Sequence, residues 1–154
     1  QSERKAWIGE YRAILLATTG MSDASAQQVF SAADLIEAQA LIRRMPVGDS
    51  VVASILDLVR ACRPGSADAD PSLGDSLAWG PGPRAAQALM LAVRARALLQ
   101  GRLAPSSEDV AALARPVLVH RMALSFAARA RGESLNGVID RITDRVTGAL
   151  GAAA

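Results

Sequence analysis

One lysine, one histidine and one cysteine occur in 154 residues, and each scarcity removes a class of chemistry. The lysine is Lys5, between Arg4 and Ala6. A P-loop needs Gly-Lys-Ser/Thr, with the lysine reaching the outer phosphates and the hydroxyl holding Mg²⁺, so the chain contains no Walker A loop. His120 has no second imidazole with which to share a metal and no triad partner. It is read as a structural residue that hydrogen-bonds across a helical bundle. Cys62 is alone on an apolar helical face, which excludes an internal disulfide or a cysteine metal site and fits a reducing compartment. Aromatics make up only 3% of the chain, too few for a β-rich core. No apolar run approaches the length of a membrane span, and no hydrophobic signal region opens the chain, so a cytoplasmic protein is expected. The first residues, Gln1-Ser2, include no initiator methionine, which leads us to expect a piece of a longer protein.

What is abundant is Ala, Leu, Val and Arg. That composition suits helices packed through small and aliphatic side chains, and 154 residues are enough for about one domain with a real core. The expected fold is all-α, a bundle of about five to six helices. Net charge is +2 and the pI about 9.3, because nearly all cations are arginine. The arginines are interleaved with acids; only the pairs Arg94/Arg96 and Arg129/Arg131 approach a cluster. A helical nucleic-acid-binding domain or a free-standing protein-interaction module therefore remains open at this point.

In chain order, a helix is expected from Ser2 to Thr18, with Ala6, Trp7, Tyr11, Ile14 and Leu15 near one face and Gly9 weakening it. A stop and turn follows at Thr19–Asp23, then a short extended link from Gln27 to Phe30. Ser31 caps the next helix, with Asp34 completing a variant capping box, and Leu35, Ala38, Leu41, Ile42 and Met45 carry it to Pro46. Asp49 or Ser50 caps a third helix whose Val51, Val52, Ile55, Leu58, Val59 and Cys62 have clean helical periodicity. From Gly65 to Gly82 the sequence reads as a long loop. Its Asp68, Asp70 and Asp75 lack the glycine and closing glutamate of an EF-hand, so they are read as solvated and no metal site is assigned. Gln100-Gly101 is a helix stop, and Ser106 to Asp109 restarts a helix with first-turn acids. Pro116 predicts a kink or break in it. Ser134, after an Arg131-Gly132 turn, caps a last helix along Leu135, Val138, Ile139, Ile142 and Val146.

The central motif is Trp79-Gly80-Pro81-Gly82-Pro83-Arg84. Pro83 suits the first helical position, Gly82 serves as a small N-cap, and Arg84 falls in the first turn of a helix anchored by Ala86, Leu89, Met90, Val93 and Ala97. A helix N-terminus already favours anions through its unpaired N–H groups and the macrodipole. The guanidinium adds a planar fork that matches phosphate or carboxylate, while Gly80 and Gly82 leave the backbone open to close approach. Gly80, Gly82, Pro83 and Arg84 are therefore the candidate ligand-contacting residues.

The order of elements and three motifs resemble the C-terminal lid of MoxR-type AAA+ ATPases. Gly80-Pro81-Gly82-Pro83-Arg84-Ala85 is similar to the family's Gly-Ala-Ser-Pro-Arg-Ala turn. Ser107-Glu108-Asp109-Val110 through Val117-Leu118-Val119-His120-Arg121 resembles its Pro-Glu-Asp-Val and Val-Leu-x-His-Arg signatures. Arg60-Ala61-Cys62-Arg63 stands where Arg-Ala-Thr-Arg is usual. The likeness spans about Ser31 to Val146, and Pro81-Gly82 departs from the family's Ala-Ser by removing a hydroxyl cap. The resemblance implies a linking helix and connector at 1–30 and a helical lid at 31–150. It also implies that Arg84 is the sensor-2 arginine, contacting the γ-phosphate of ATP held by an upstream core. Walker motifs, Mg²⁺ and ATP hydrolysis then belong to the parent protein, with no cofactor in this piece alone. It further implies a hexameric ring and chaperone-like remodelling of, or metal insertion into, a partner such as a von Willebrand factor A-domain protein. No membrane partner is implied. His120 and Arg121 take a structural or interdomain role.

Overall fold

The computed structural model describes residues 2–19 and 27–151, with side chains described for 11–19 and 27–148. The chain divides into two units, residues 1–35 and 36–154, with the dividing point inside a helix. In the first unit α1 spans Ser2–Thr19, as its pattern predicts. The stripe expected along it is not a buried face: Tyr11, Ile14 and Leu15 are each more than half exposed. Ala6, Trp7 and Gly9 lie outside the described side chains, and the turn expected after Thr19 lies outside the described residues. Residues 27–30 are irregular, leading to α2 at Ala32–Arg44. Its capping box is formed as read, with the Ser31 N–H donating to Asp34 Oδ2 at 2.8 Å and the Asp34 N–H to Ser31 Oγ at 3.1 Å. No residue of α2 is fully buried; Leu35 and Leu41 stay exposed, and Met45 beyond its end enters the core.

The larger unit is built on α3 (Asp49–Ala61), α4 (Pro83–Leu99), α5 (Ser107–Leu118) and α7 (Leu135–Gly151), with the short α6 at Phe126–Ala130. Ile55, Leu58, Leu89, Val93, Val110, Leu118, Ile139 and Ile142 form one core, each 1% exposed or less. These are the positions their helical spacing selects. Gly101 takes φ 72° just after α4, and Gly132 takes φ 75° in the turn before α7, where the left-handed region favours glycine. The Ser134 hydroxyl accepts from the Gly137 N–H at 3.0 Å, as expected of the last helix's cap.

Several details differ from the sequence reading. The N-cap of α3 is Gly48, and Asp49 is its first helical residue, so neither Asp49 nor Ser50 is the cap. Pro116 does not stop α5; the helix runs two residues past it and then tightens into a 3-10 turn at Val119–Arg121, deferring the break. The stretch from Gly65 to Gly82 is not a plain loop. It holds a 3-10 turn at Pro71–Leu73 and a strand, β1 (Leu77–Trp79), antiparallel to β2 (Ala123–Leu124), with Leu77 opposite Leu124 and Trp79 opposite Ala123 across a register shift. The fold is still helical, with this ribbon as its one sheet among the described residues.

Nor are the loop's aspartates all solvated. The Asp70 side chain is 3% exposed; it accepts from the Ser72 N–H at 2.7 Å and from Arg145 of α7 at 2.8 Å. Asp75 receives both terminal nitrogens of Arg131, which also bonds Glu133, and Glu133 in turn accepts from Ser76 at 2.8 Å. Arg131 holds the carboxyls of Asp75 and Glu133 below their ordinary range. These pairs fasten the segment ahead of Gly80 to α6 and α7.

Candidate functional site

The turn 80–84 is anchored on one side and presented on the other. A Cβ built on Gly80 would stand 2.2 Å from the Cys62 carbonyl oxygen and 3.0 Å from both Arg63 Cα and Pro64 Cδ, so the chain here lies directly on the end of α3. Pro81 is fully buried beside it. Glycine at 80 therefore serves the contact with residues 62–64. Gly82 has open space where a Cβ would be, and its φ of −94° is available to any residue. It is the N-cap of α4, with Pro83 in the first turn, as the sequence predicts, and no side chain caps the helix. Gly82→Ser is expected to leave stability unchanged or raise it by a few tenths of a kcal/mol, read as a small rise in melting temperature.

Arg84 is exposed and, among the described residues, makes no hydrogen bond or ion pair. No acid lies in the first turn of α4 to offset it. A cation at the positive end of a helix costs about 0.3–1 kcal/mol, and nothing inside this chain compensates that cost. Behind it Ala85, Leu89, Val93 and Ala97 are fully buried. The helix is thus held from its inner face, with arginine and unsatisfied backbone donors together at its free end, an arrangement suited to an anion supplied from outside.

The other arginines behave differently. Arg96 and Arg102 close on Asp109 at 3.0 and 2.7 Å, and Asp109 is 2% exposed. Asp109 also accepts the Ser106 N–H at 2.8 Å in the capping box of α5. The Arg102 hydrogen bond, aided by Ser106 and Arg96, brings its carboxyl down to about 2 against desolvation. The sequence marked Asp109 as a first-turn acid but missed this junction between the end of α4 and the start of α5; the cue available was Arg102 just after the Gly101 stop. Since Arg96 and Arg131 are both engaged with carboxylates, the four arginines of the two apparent clusters do not form a free basic stripe.

His120 does not bond across the bundle. It is exposed on the 3-10 turn after α5 and meets its neighbour Arg121, which also donates to the Val117 carbonyl at 2.7 Å. The tightened turn directs Leu118 and Met122 inward and leaves position 120 on the solvent side. Burial pushes the Cys62 thiol up to about 12, so it is an inert core residue. Among the described residues no three His, Cys, Asp or Glu side chains converge to hold a metal ion, and no helix is long and apolar enough to cross a membrane.

With this geometry in view, comparison with known proteins is specific. Residues 74–142 match the AAA lid domain family, a span that opens just before the Gly80–Arg84 turn and closes within α7. The chaperone MoxR1 of Mycobacterium tuberculosis is 29% identical over 127 residues, covering 82% of this chain and 34% of that protein. A crystal structure from Cytophaga hutchinsonii, of a protein classed as an ATPase, superposes with a TM-score of 0.75 at 25% identity, over 86% of this chain and 40% of the other. Together these likenesses support an AAA lid domain of the MoxR type within this chain. It spans about a third of the length of the curated relative it matches.

Proposed function

We propose that this chain is the sensor-2 lid of an AAA+ ATPase, and that Arg84 contacts the γ-phosphate of ATP bound to an upstream core. The observation that carries the reading is Arg84 itself: exposed, without an internal counter-charge, and fixed at an uncapped helix N-terminus. Gly82 and Pro83 present that N-terminus, and Gly80 supports the turn from behind. The guanidinium would stabilise charge on the transferring phosphoryl oxygens and make closure of the lid depend on whether the γ-phosphate is present. Mg²⁺ would be held by the core and would supply further neutralisation of phosphate charge there. In this reading the parent protein is a cytoplasmic homo-hexamer with chaperone-like activity on a partner, such as remodelling of, or metal insertion into, a von Willebrand factor A-domain protein. The 154 residues alone do not hydrolyse ATP.

Turnover measurements test this. Arg84→Ala in the parent is expected to lower ATP hydrolysis at least about tenfold with an unchanged melting temperature, while the isolated chain hydrolyses nothing. Unchanged turnover in the variant would make Arg84 an ordinary first-turn residue.

A further inference from the structure

Helix α4 has a second, outward face that the nucleotide reading does not use. Leu91 is 43% exposed on it, opposite the buried Leu89 and Val93, and Ala88, Ala92 and Ala95 surround it. A groove of about 510 Å³ lies on each side of this ridge, and Leu91 lines both. One is walled by Val52 and Leu56 of α3 with Met90; the other by Ile42 and Arg43 of α2. The two linings together contain a single charged residue, Arg43, and no acid. Arg43 has no ion pair among the described residues. Glu37, on the same helix, is about 120° around from it.

We propose that this face docks an amphipathic helix of a partner protein, with apolar residues toward α4 and acidic residues on the flank that meets Arg43. The shape argues for a helix. A ridge between two parallel grooves accepts interdigitating side chains at i, i+3 and i+4, and the alanines beside Leu91 allow the axes to approach toward the short end of the usual range, about 8 Å. The charge argues for acids. Arg43 stands beside the apolar floor without an ion pair among the described residues, and a partner acid placed there would supply the missing counter-charge. The inference is independent of Arg84 and would survive its failure as a sensor.

The test uses two synthetic helical peptides with leucines at i, i+3, i+4 and i+7, one flanked by glutamates and the other by lysines, titrated against the 154-residue chain by fluorescence anisotropy. The glutamate peptide is expected to bind at least about tenfold more tightly. Leu91→Asp should abolish binding without lowering the melting temperature. Arg43→Glu should weaken the glutamate peptide and improve the lysine peptide, a reversal that loss of folding cannot produce. Equal binding of both peptides, binding by neither, or insensitivity to both substitutions would overturn the proposal. So would self-association of the chain that Leu91→Asp abolishes, since the occupant would then be a second copy.

Discussion

Asp109→Ala is expected to destabilise the helical unit by about 2–3 kcal/mol, seen as a melting temperature lower by about 10 °C. The carboxylate is almost wholly buried and holds Arg96, Arg102 and the Ser106 N–H at once. Removing it leaves two guanidinium groups facing one another and uncaps α5. The same group sets an acid limb. Its folded-state pKa of about 2 lies below the ordinary 3.8, so the native state favours the charged form. The resulting stabilisation, about 2 kcal/mol, is complete above about pH 5 and is lost as the pH falls toward 2. Urea unfolding of the wild-type chain across that window should show the loss, and Asp109→Asn should flatten it. A limb of the same size in the Asn variant would mean that other carboxylates carry the acid sensitivity.

Gly80→Ala is the second large effect. The added methyl would meet backbone atoms, which cannot rotate away as a side-chain tip does, so either the turn or the end of α3 must move. Overpacking of this kind costs about 1–3 kcal/mol, and here it displaces the segment that delivers Arg84. In the parent protein the variant should lose turnover together with stability, although residue 80 faces α3. Gly82→Ala, with open space at its Cβ, is the control. If the two alanine variants melted alike, the contact at Cys62–Pro64 would not be what demands glycine at 80.

Most of the fold was legible because its signals are local. The apolar spacing of α3 and α7, the capping box at Ser31, and glycines 101 and 132 each act through neighbours within a turn of helix. What escaped the sequence depends on partners far along the chain. Asp70 looks like a loop aspartate until Arg145, 75 residues later, comes to it. The β1–β2 ribbon pairs residues more than forty positions apart with too few alternating residues to announce itself. Arg84 was legible as a residue from Pro83 and the helix behind it, but the use made of glycine at 80 was not. Composition suggests backbone open to a ligand, whereas the fold turns that face onto α3. His120 was misplaced for a related reason, since the 3-10 tightening that exposes it leaves no periodic mark.

The most direct measurement of the central claim compares affinities of the parent protein for ADP and for a non-hydrolysable ATP analogue, with Arg84 intact and with Arg84→Ala. If Arg84 reads the γ-phosphate, the substitution weakens the ATP analogue by about tenfold and leaves ADP unchanged, because only the terminal phosphate loses a partner. Equal affinities in both proteins, or equal losses for both nucleotides, would contradict the account.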